Sequence, residues 1–369
     1  MHKKLTKNLL FSVCLIGLLL VAACGTANKN VTNDNAAKNT SEPVQTSSPV
    51  KNEPAKAPTK IKVGTLKALA DAPIYIALEK GYFKQQNLDV EDVAFETGAA
   101  MITPLTAGQI EVGGGGVSAG FYNALSRGYD IQIVADKGHV GSDSNYVAFL
   151  VRKELIDSGE IKDFKDLRGK KIAIVSATGS NAAHLSVALE KGGLTFDDIE
   201  LIEMTFPNMG TAFGSGAIDV GIIPEPFVAR YVENGLAVNW KGVNDVIPNA
   251  QTGVLFYSNK FAKEDPEAAN HFMVAYLQGV QDYNNAFFKK EGYDEIVSIL
   301  TKYTTVKEAD LYEKMAPAGL NASGEINQES LELDFNWYKS RGLIEKEIDL
   351  SQVINSSFLE AAQKELGNK

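Results

Sequence analysis

Apolar residues change their spacing several times along this chain, and each change marks an element. Ile61-Lys62-Val63-Gly64 alternates apolar with polar, which predicts a strand. Residues 72–80 then carry apolar positions at helical spacing. Asp71 stands as N-cap, Pro73 falls in the first turn and Gly81 is the stop. Strand and helix patterns alternate again through 99–126 and 131–135. The alternation is sharpest over 170–227. Lys171-Ile172-Ala173-Ile174-Val175 predicts a buried strand, Ser176-Ala177-Thr178-Gly179-Ser180-Asn181 a loop of small polar residues, and 182–191 a helix ended by Gly192-Gly193. Residues 200–206 and 217–223 predict two more strands, with a turn at 207–210. From 266 onward the pattern is helical only, over 266–288, 291–303, 308–315, 328–341 and 354–366.

Strands alternating with helices give an α/β fold class. Two further runs, 146–152 and 252–257, are strongly apolar and bracket a compact α/β block. They read as the crossovers between two α/β lobes, one of residues 60–147 plus 254–369 and one of 148–253. The expectation is two lobes joined by a two-strand hinge, with a helical C-terminal part.

Loops that follow such strands end at helix starts, where free backbone N–H groups hold polar or anionic groups. The candidate ligand-binding residues are therefore loop residues. Leu66, Lys67, Ala70 and Asp71 follow the first strand. Gly115, Gly116, Val117 and Ser118 lie in a glycine-rich turn whose glycines let a solute approach the backbone. Thr178, Gly179, Ser180 and Asn181 form the central loop, and Asn208 sits in the turn after 200–206. His139 follows a strand end and reads either as a capping residue or as a contact. Glu225, fixed between two prolines, reads equally as a capping carboxylate or a ligand contact. His184 falls inside a helix and reads as structural. Gly114, Gly116 and Ala119 with Asp136 also fit a dinucleotide fingerprint, but in the second strand–helix unit rather than the first, so no cofactor is expected.

Composition narrows the function classes. The 369 residues carry a formal net charge of −10 with no basic cluster, which argues against nucleic acid as a partner. Both cysteines, Cys14 and Cys24, lie near the N-terminus, so the folded region has no thiol nucleophile or cysteine metal site. No pair of histidines has metal-ligand spacing, and no catalytic serine, phosphate-loop or zinc-protease motif occurs. Lys3, Lys4 and Lys7 precede an apolar stretch over 9–21 and then Val21-Ala22-Ala23-Cys24, which predicts a secretory leader over 1–23. Residues 24–59 are rich in Asn, Thr, Ser, Pro, Lys and Ala and predict a disordered tether.

The leader's end resembles the bacterial lipobox, which implies lipidation of Cys24 and an anchor on the extracytoplasmic face of the cell membrane. A second resemblance is carried by Ala72-Pro73-Ile74-Tyr75-Ile76-Ala77, Glu79-Lys80-Gly81-Tyr82-Phe83 and Leu88-Asp89-Val90-Glu91. It continues through Asp166-Leu167-Arg168-Gly169-Lys170-Lys171-Ile172, Gly192-Gly193-Leu194, Gly216-Ala217-Ile218-Asp219 and Glu225-Pro226-Phe227. Here the chain resembles solute-binding proteins of ABC importers, in the branch for nitrate, sulfonates, taurine and thiamine-pyrimidine precursors. The resemblance implies a periplasmic-binding-protein-like fold of type II. It implies a monomer that captures a small solute by hinge closure and delivers it to a permease and its ATPase. A pyrimidine-precursor enzyme on the same fold, and an adhesin or scaffold, are the alternatives.

Overall fold

Ten strands place everything else in the computed structural model, which describes residues 57–367. The leader, Cys24 and the tether up to residue 56 lie outside the described residues. The described residues fall in one unit, Ala55–Lys369. In chain order the strands are β1 (Thr59–Thr65), β2 (Leu88–Ala94), β3 (Val112–Gly115), β4 (Ile131–His139), β5 (Val147–Arg152), β6 (Lys171–Ile174), β7 (Glu200–Glu203), β8 (Val220–Pro224), β9 (Ala237–Gly242) and β10 (Gln251–Ser258).

They form two five-stranded sheets of matching design. The first runs β2-β1-β3-β10-β4 and the second β7-β6-β8-β5-β9. In each, parallel strands joined through helices stand beside one antiparallel strand that arrives from the other half of the chain. β10 runs antiparallel to β3 and β4, and β5 antiparallel to β8 and β9. The chain passes between the sheets over 140–146 and 243–250, immediately before β5 and β10. The apolar runs at 146–152 and 252–257 are thus interior strands of opposite sheets. Flanked on both sides and covered on both faces, Ala148, Phe149, Leu150 and Val151 are fully buried, as are Val254, Leu255, Phe256 and Tyr257.

Helices cover the sheets. The longest, Pro266–Lys289, lays Phe272, Val274, Ala275 and Tyr283 into the core and packs on the helix Ala72–Glu79. A Cβ at Gly279 would overlap the Pro73 carbonyl, so glycine sets how near those two helices come. The helix Gln328–Ser340 adds Leu331, Phe335 and Tyr338 to an apolar cluster with Phe121, Tyr122 and Phe256 on the first sheet. Two local expectations change. Residues 207–210 are not a turn: Pro207 sits at the start of the helix Phe206–Gly214, where its missing N–H costs nothing. Residues 308–315 form 3₁₀ turns, Ala309–Lys314, rather than an α-helix. Among the described residues no helix is long and apolar enough to cross a membrane.

Candidate functional site

The parallel strands of both sheets release their C-terminal ends toward a common gap, the usual place for a ligand in α/β sheets. The gap is a cleft enclosing about 810 Å³ of empty space, counting its open mouth. The first sheet supplies Leu66, Ala68 and Ala70 after β1, residues 96–99 after β2, Gly115, Gly116 and Ser118 after β3, and Lys137 of β4. The second supplies Val175, Ser176, Gly179, Ser180, Asn181 and His184 after β6, Phe206 after β7 and Pro224 at the end of β8. Tyr146 comes from the end of the first crossing, Val147 from the start of β5, and Thr252 and Gly253 from the start of β10.

The two halves touch around this space. The Ala119 N–H donates to the Thr178 carbonyl at 2.9 Å, and the Leu69 N–H to the Glu225 carbonyl at 3.0 Å. A Cβ at Gly116 would overlap the hydroxyl of Ser180 on the opposite wall, so glycine is what lets the walls meet. Ser118 caps the helix Ala119–Ser126, its Oγ accepting from the Phe121 N–H at 3.3 Å. On the facing side the helix Ser180–Lys191 begins at the cleft after Gly179. Where the first crossing ends and β10 begins, the Tyr146 hydroxyl and Thr252 Oγ1 lie 2.6 Å apart.

Electrostatically the cleft is almost balanced. Lys137 Nζ sits 2.6 Å from Asp71 Oδ1, with side chains only 2% and 0% exposed. Asp71 Oδ2 accepts from the N–H groups of Leu66 and Ala68 at 3.0 and 2.9 Å. The lysine stem lies across Gly114, where any Cβ would overlap it. Glu96 is the other charged side chain on the lining, and it is exposed. His184 is buried, and burial pulls its imidazole down to about 4.

Of the candidate residues, Leu66, Ala70, Gly115, Gly116, Ser118, Gly179, Ser180 and Asn181 lie together on the cleft wall. The others do not reach it. Lys67 pairs with Asp92 and lies over the Tyr75 ring. Asp71 stands behind the wall as the partner of Lys137. Val117 points into the core, and its carbonyl accepts from the Tyr338 hydroxyl. Thr178 is exposed and uses its carbonyl for the contact with Ala119. His139 has Nδ1 3.4 Å from Asp136 Oδ2 and pairs through its backbone with Gly319. Asn208 is exposed on the helix Phe206–Gly214. Glu225 is buried, and its two oxygens accept from the N–H groups of Ala229 and Ala316 at 2.9 and 3.2 Å. Burial raises its carboxyl to about 8, against the two N–H bonds that favour the charged form.

The lining also holds Lys137, Thr97, Tyr146, Phe206 and Thr252, which sequence reading did not single out, and the buried His184, which it read as structural. The fingerprint-like residues serve other ends: Gly114 makes room for Lys137. Asp136 accepts from the Gly138 N–H, from Gln251 Nε2 and from the Asn321 N–H, tying β4 to β10 and to the C-terminal segment. No group of three or more His, Cys, Asp or Glu able to hold a metal occurs among the described residues.

Comparison with known proteins follows the same lines. Residues 70–286 match the model of the family described as NMT1/THI5 like. A putative binding protein of Brucella abortus is 28% identical over 242 residues, covering 64% of this chain and 68% of that one. A 4-amino-5-hydroxymethyl-2-methylpyrimidine phosphate synthase of Candida albicans is 28% identical over 223 residues, covering 57% of this chain and 62% of that one. The solved alkanesulfonate-binding protein SsuA of Xanthomonas axonopodis pv. citri, bound to MOPS, superposes with a TM-score of 0.66 at 18% identity, over 82% of this chain and 100% of that one. The fold is that of the periplasmic solute-binding proteins, two α/β lobes with a helical C-terminal part.

Proposed function

We propose that this chain, which belongs to the NMT1/THI5-like family, is the solute-binding component of an ABC importer. It captures a small organic solute by closure of the two lobes and hands it to a permease driven by an ATPase. Lipid on Cys24 holds it at the extracytoplasmic face, and the tether over 24–59 gives the lobes reach. The observation that carries this reading is the cleft itself, walled by backbone turns from both sheets that meet through Ala119–Thr178 and Gly116–Ser180. Such an arrangement binds more tightly shut than open, which is the physical content of hinge closure.

The charge balance narrows the solute. An oxyanion wants an uncompensated cation or a fork of arginine donors. The lining offers Lys137, already held by Asp71, and no arginine. Ser118, Ser180, Asn181, Thr97 and Thr252 present neutral donors and acceptors beside Leu66, Val175 and Phe206. That set suits a neutral or zwitterionic ring compound such as a pyrimidine or vitamin precursor better than a nitrate or sulfonate. The relation to a synthase favours an enzyme as the second reading.

Mass spectrometry of the solute that co-purifies with the protein, followed by thermal shift against alkanesulfonates, taurine, nitrate and pyrimidines, tests both. A stabilising solute recovered unchanged supports capture. Conversion of that solute by the protein alone would establish the enzyme instead, and no shift with any class would sink the importer reading.

A further inference from the structure

We propose that His184 and Asp334 form a one-proton site across the seam between the lobes, and that the seam stays shut only while that proton is held. His184 stands on the helix Ser180–Lys191 of the second lobe. Asp334 stands on the helix Gln328–Ser340, which is fastened to the first lobe by Phe335 against Tyr122 and by the Tyr338 hydroxyl on the Val117 carbonyl. His184 Nε2 lies 3.7 Å from Asp334 Oδ1, and the two side chains are 2% and 1% exposed. His184 Nε2, both carboxyl oxygens of Asp334 and the nearby Tyr122 hydroxyl are buried and have no hydrogen-bond partner among the described residues. Four such atoms at one seam are unusual, because buried polar groups are normally paired.

Without a proton, a carboxylate would face the lone pair of a neutral imidazole, two acceptors in a dry place. One proton makes the contact attractive and lets the pair, now 3.7 Å apart, draw together into a bridge, as N···H–O or as N–H⁺···O⁻. The surroundings favour the first form. Burial drives the Asp334 carboxyl well above its ordinary range and lowers His184, and among the described residues no cation forms an ion pair with either. The titratable groups that face Asp334 are Tyr122, from the helix Ala119–Ser126, and Tyr338, from its own helix. The turn Phe164–Leu167 also packs on the His184 helix, but its Lys165 is exposed and its Asp166 is occupied by the N–H groups of Lys162 and Asp163. Lys137, on the same cleft lining, is held by Asp71.

When the lobes part, water reaches the pair through the cleft, whose wall includes His184. Both groups then return to ordinary values, about 3.9 for the carboxyl and about 6.5 for the imidazole. Below about pH 6.5 the open pair already carries one proton, on the histidine, and closing moves it without net uptake. Above that pH the open pair carries none, so closing takes one proton from solvent. The closing equilibrium therefore falls by up to about tenfold per pH unit. This device goes beyond solute capture, since it acts on the empty protein as well as the loaded one.

Small-angle scattering of the intact chain at pH 6 and pH 9, for the wild type, Asp334→Asn and Asp334→Leu, tests it. The wild type should expand at pH 9, and both variants should keep one radius of gyration at the two values. In urea unfolding, the folding constant of the wild type relative to Asp334→Asn should fall about tenfold per unit between pH 5 and 8. Should Asp334→Asn not fold, the leucine variant carries the comparison, because it removes the same titrating group. A wild type of unchanged radius, or variants that expand as it does, would overturn the proposal. None of these outcomes depends on which solute the cleft takes.

Discussion

Replacing Glu225 with Gln separates a folding carboxyl from a ligand contact. The side chain lies between β8 and the helix Phe227–Glu233, accepting from the Ala229 and Ala316 N–H groups. Burial outweighs those two bonds and raises the carboxyl from 4.5 to about 8. The folded pKa is raised, so the stabilising contribution is complete below the ordinary value and is lost as pH climbs toward 8. Each unit is worth about 1.4 kcal/mol, so roughly 3 kcal/mol is gone at pH 7 and about 5 kcal/mol above pH 8. Glutamine does not titrate, but it offers one acceptor where two N–H groups wait, at a cost of about 2 kcal/mol. Urea unfolding at intervals from pH 5 to 9 should find the variant slightly less stable than the wild type at pH 5. The two should match near pH 6, and the variant should be more stable by about 3 kcal/mol at pH 8 to 9. Solute-induced stabilisation should survive the change. A difference between the two proteins that does not vary with pH would refute the reasoning, because it would mean that Glu225 ionises normally in the folded state.

Gly116→Ala should abolish the thermal shift produced by the solute, since its methyl group meets the Ser180 hydroxyl as the walls close. Adding Ser180→Ala should restore much of the shift, and a double mutant no better than Gly116→Ala would show that the two walls do not meet there. Lys137→Met should destabilise the fold by about 3–5 kcal/mol, measured by denaturant unfolding, because it leaves the Asp71 charge buried and unpaired. The double change Lys137→Met with Asp71→Asn should recover most of that loss, and failure to recover would mean that Lys137 matters for something other than its pair.

Which parts of this were legible in the chain follows from where each kind of information resides. Strand and helix identity rests on local period, and Lys171-Ile172-Ala173-Ile174 or the 266–288 pattern carries it without reference to anything distant. Loops at strand ends are equally local, which is why Gly116, Ser118, Ser180 and Asn181 could be found. The side chains that escaped are those whose role depends on a partner far along the chain. Lys137 reaches the cleft because Gly114 leaves its stem a path and Asp71 holds its head, residues that three separate segments bring together. From sequence Asp71 reads as a ligand candidate in a loop after a strand, and Glu225, fixed between two prolines, reads equally as a cap or a contact. In the structure both side chains accept from the chain's own N–H groups, an arrangement that only the folded surroundings reveal. His184 is the converse case. A histidine one turn into a helix at a cleft faces either the core or the gap, and only the arrival of Asp334 from 150 residues downstream decides what it meets. The same reasoning explains why family and fold are read more readily than the solute. Backbone turns that bring two walls together recur wherever the fold does, whereas the charge balance of the lining depends on pairs such as Lys137 with Asp71 that no single stretch contains. A solute is chosen by what those pairs leave uncompensated, and here they leave neutral donors and acceptors beside an apolar surface.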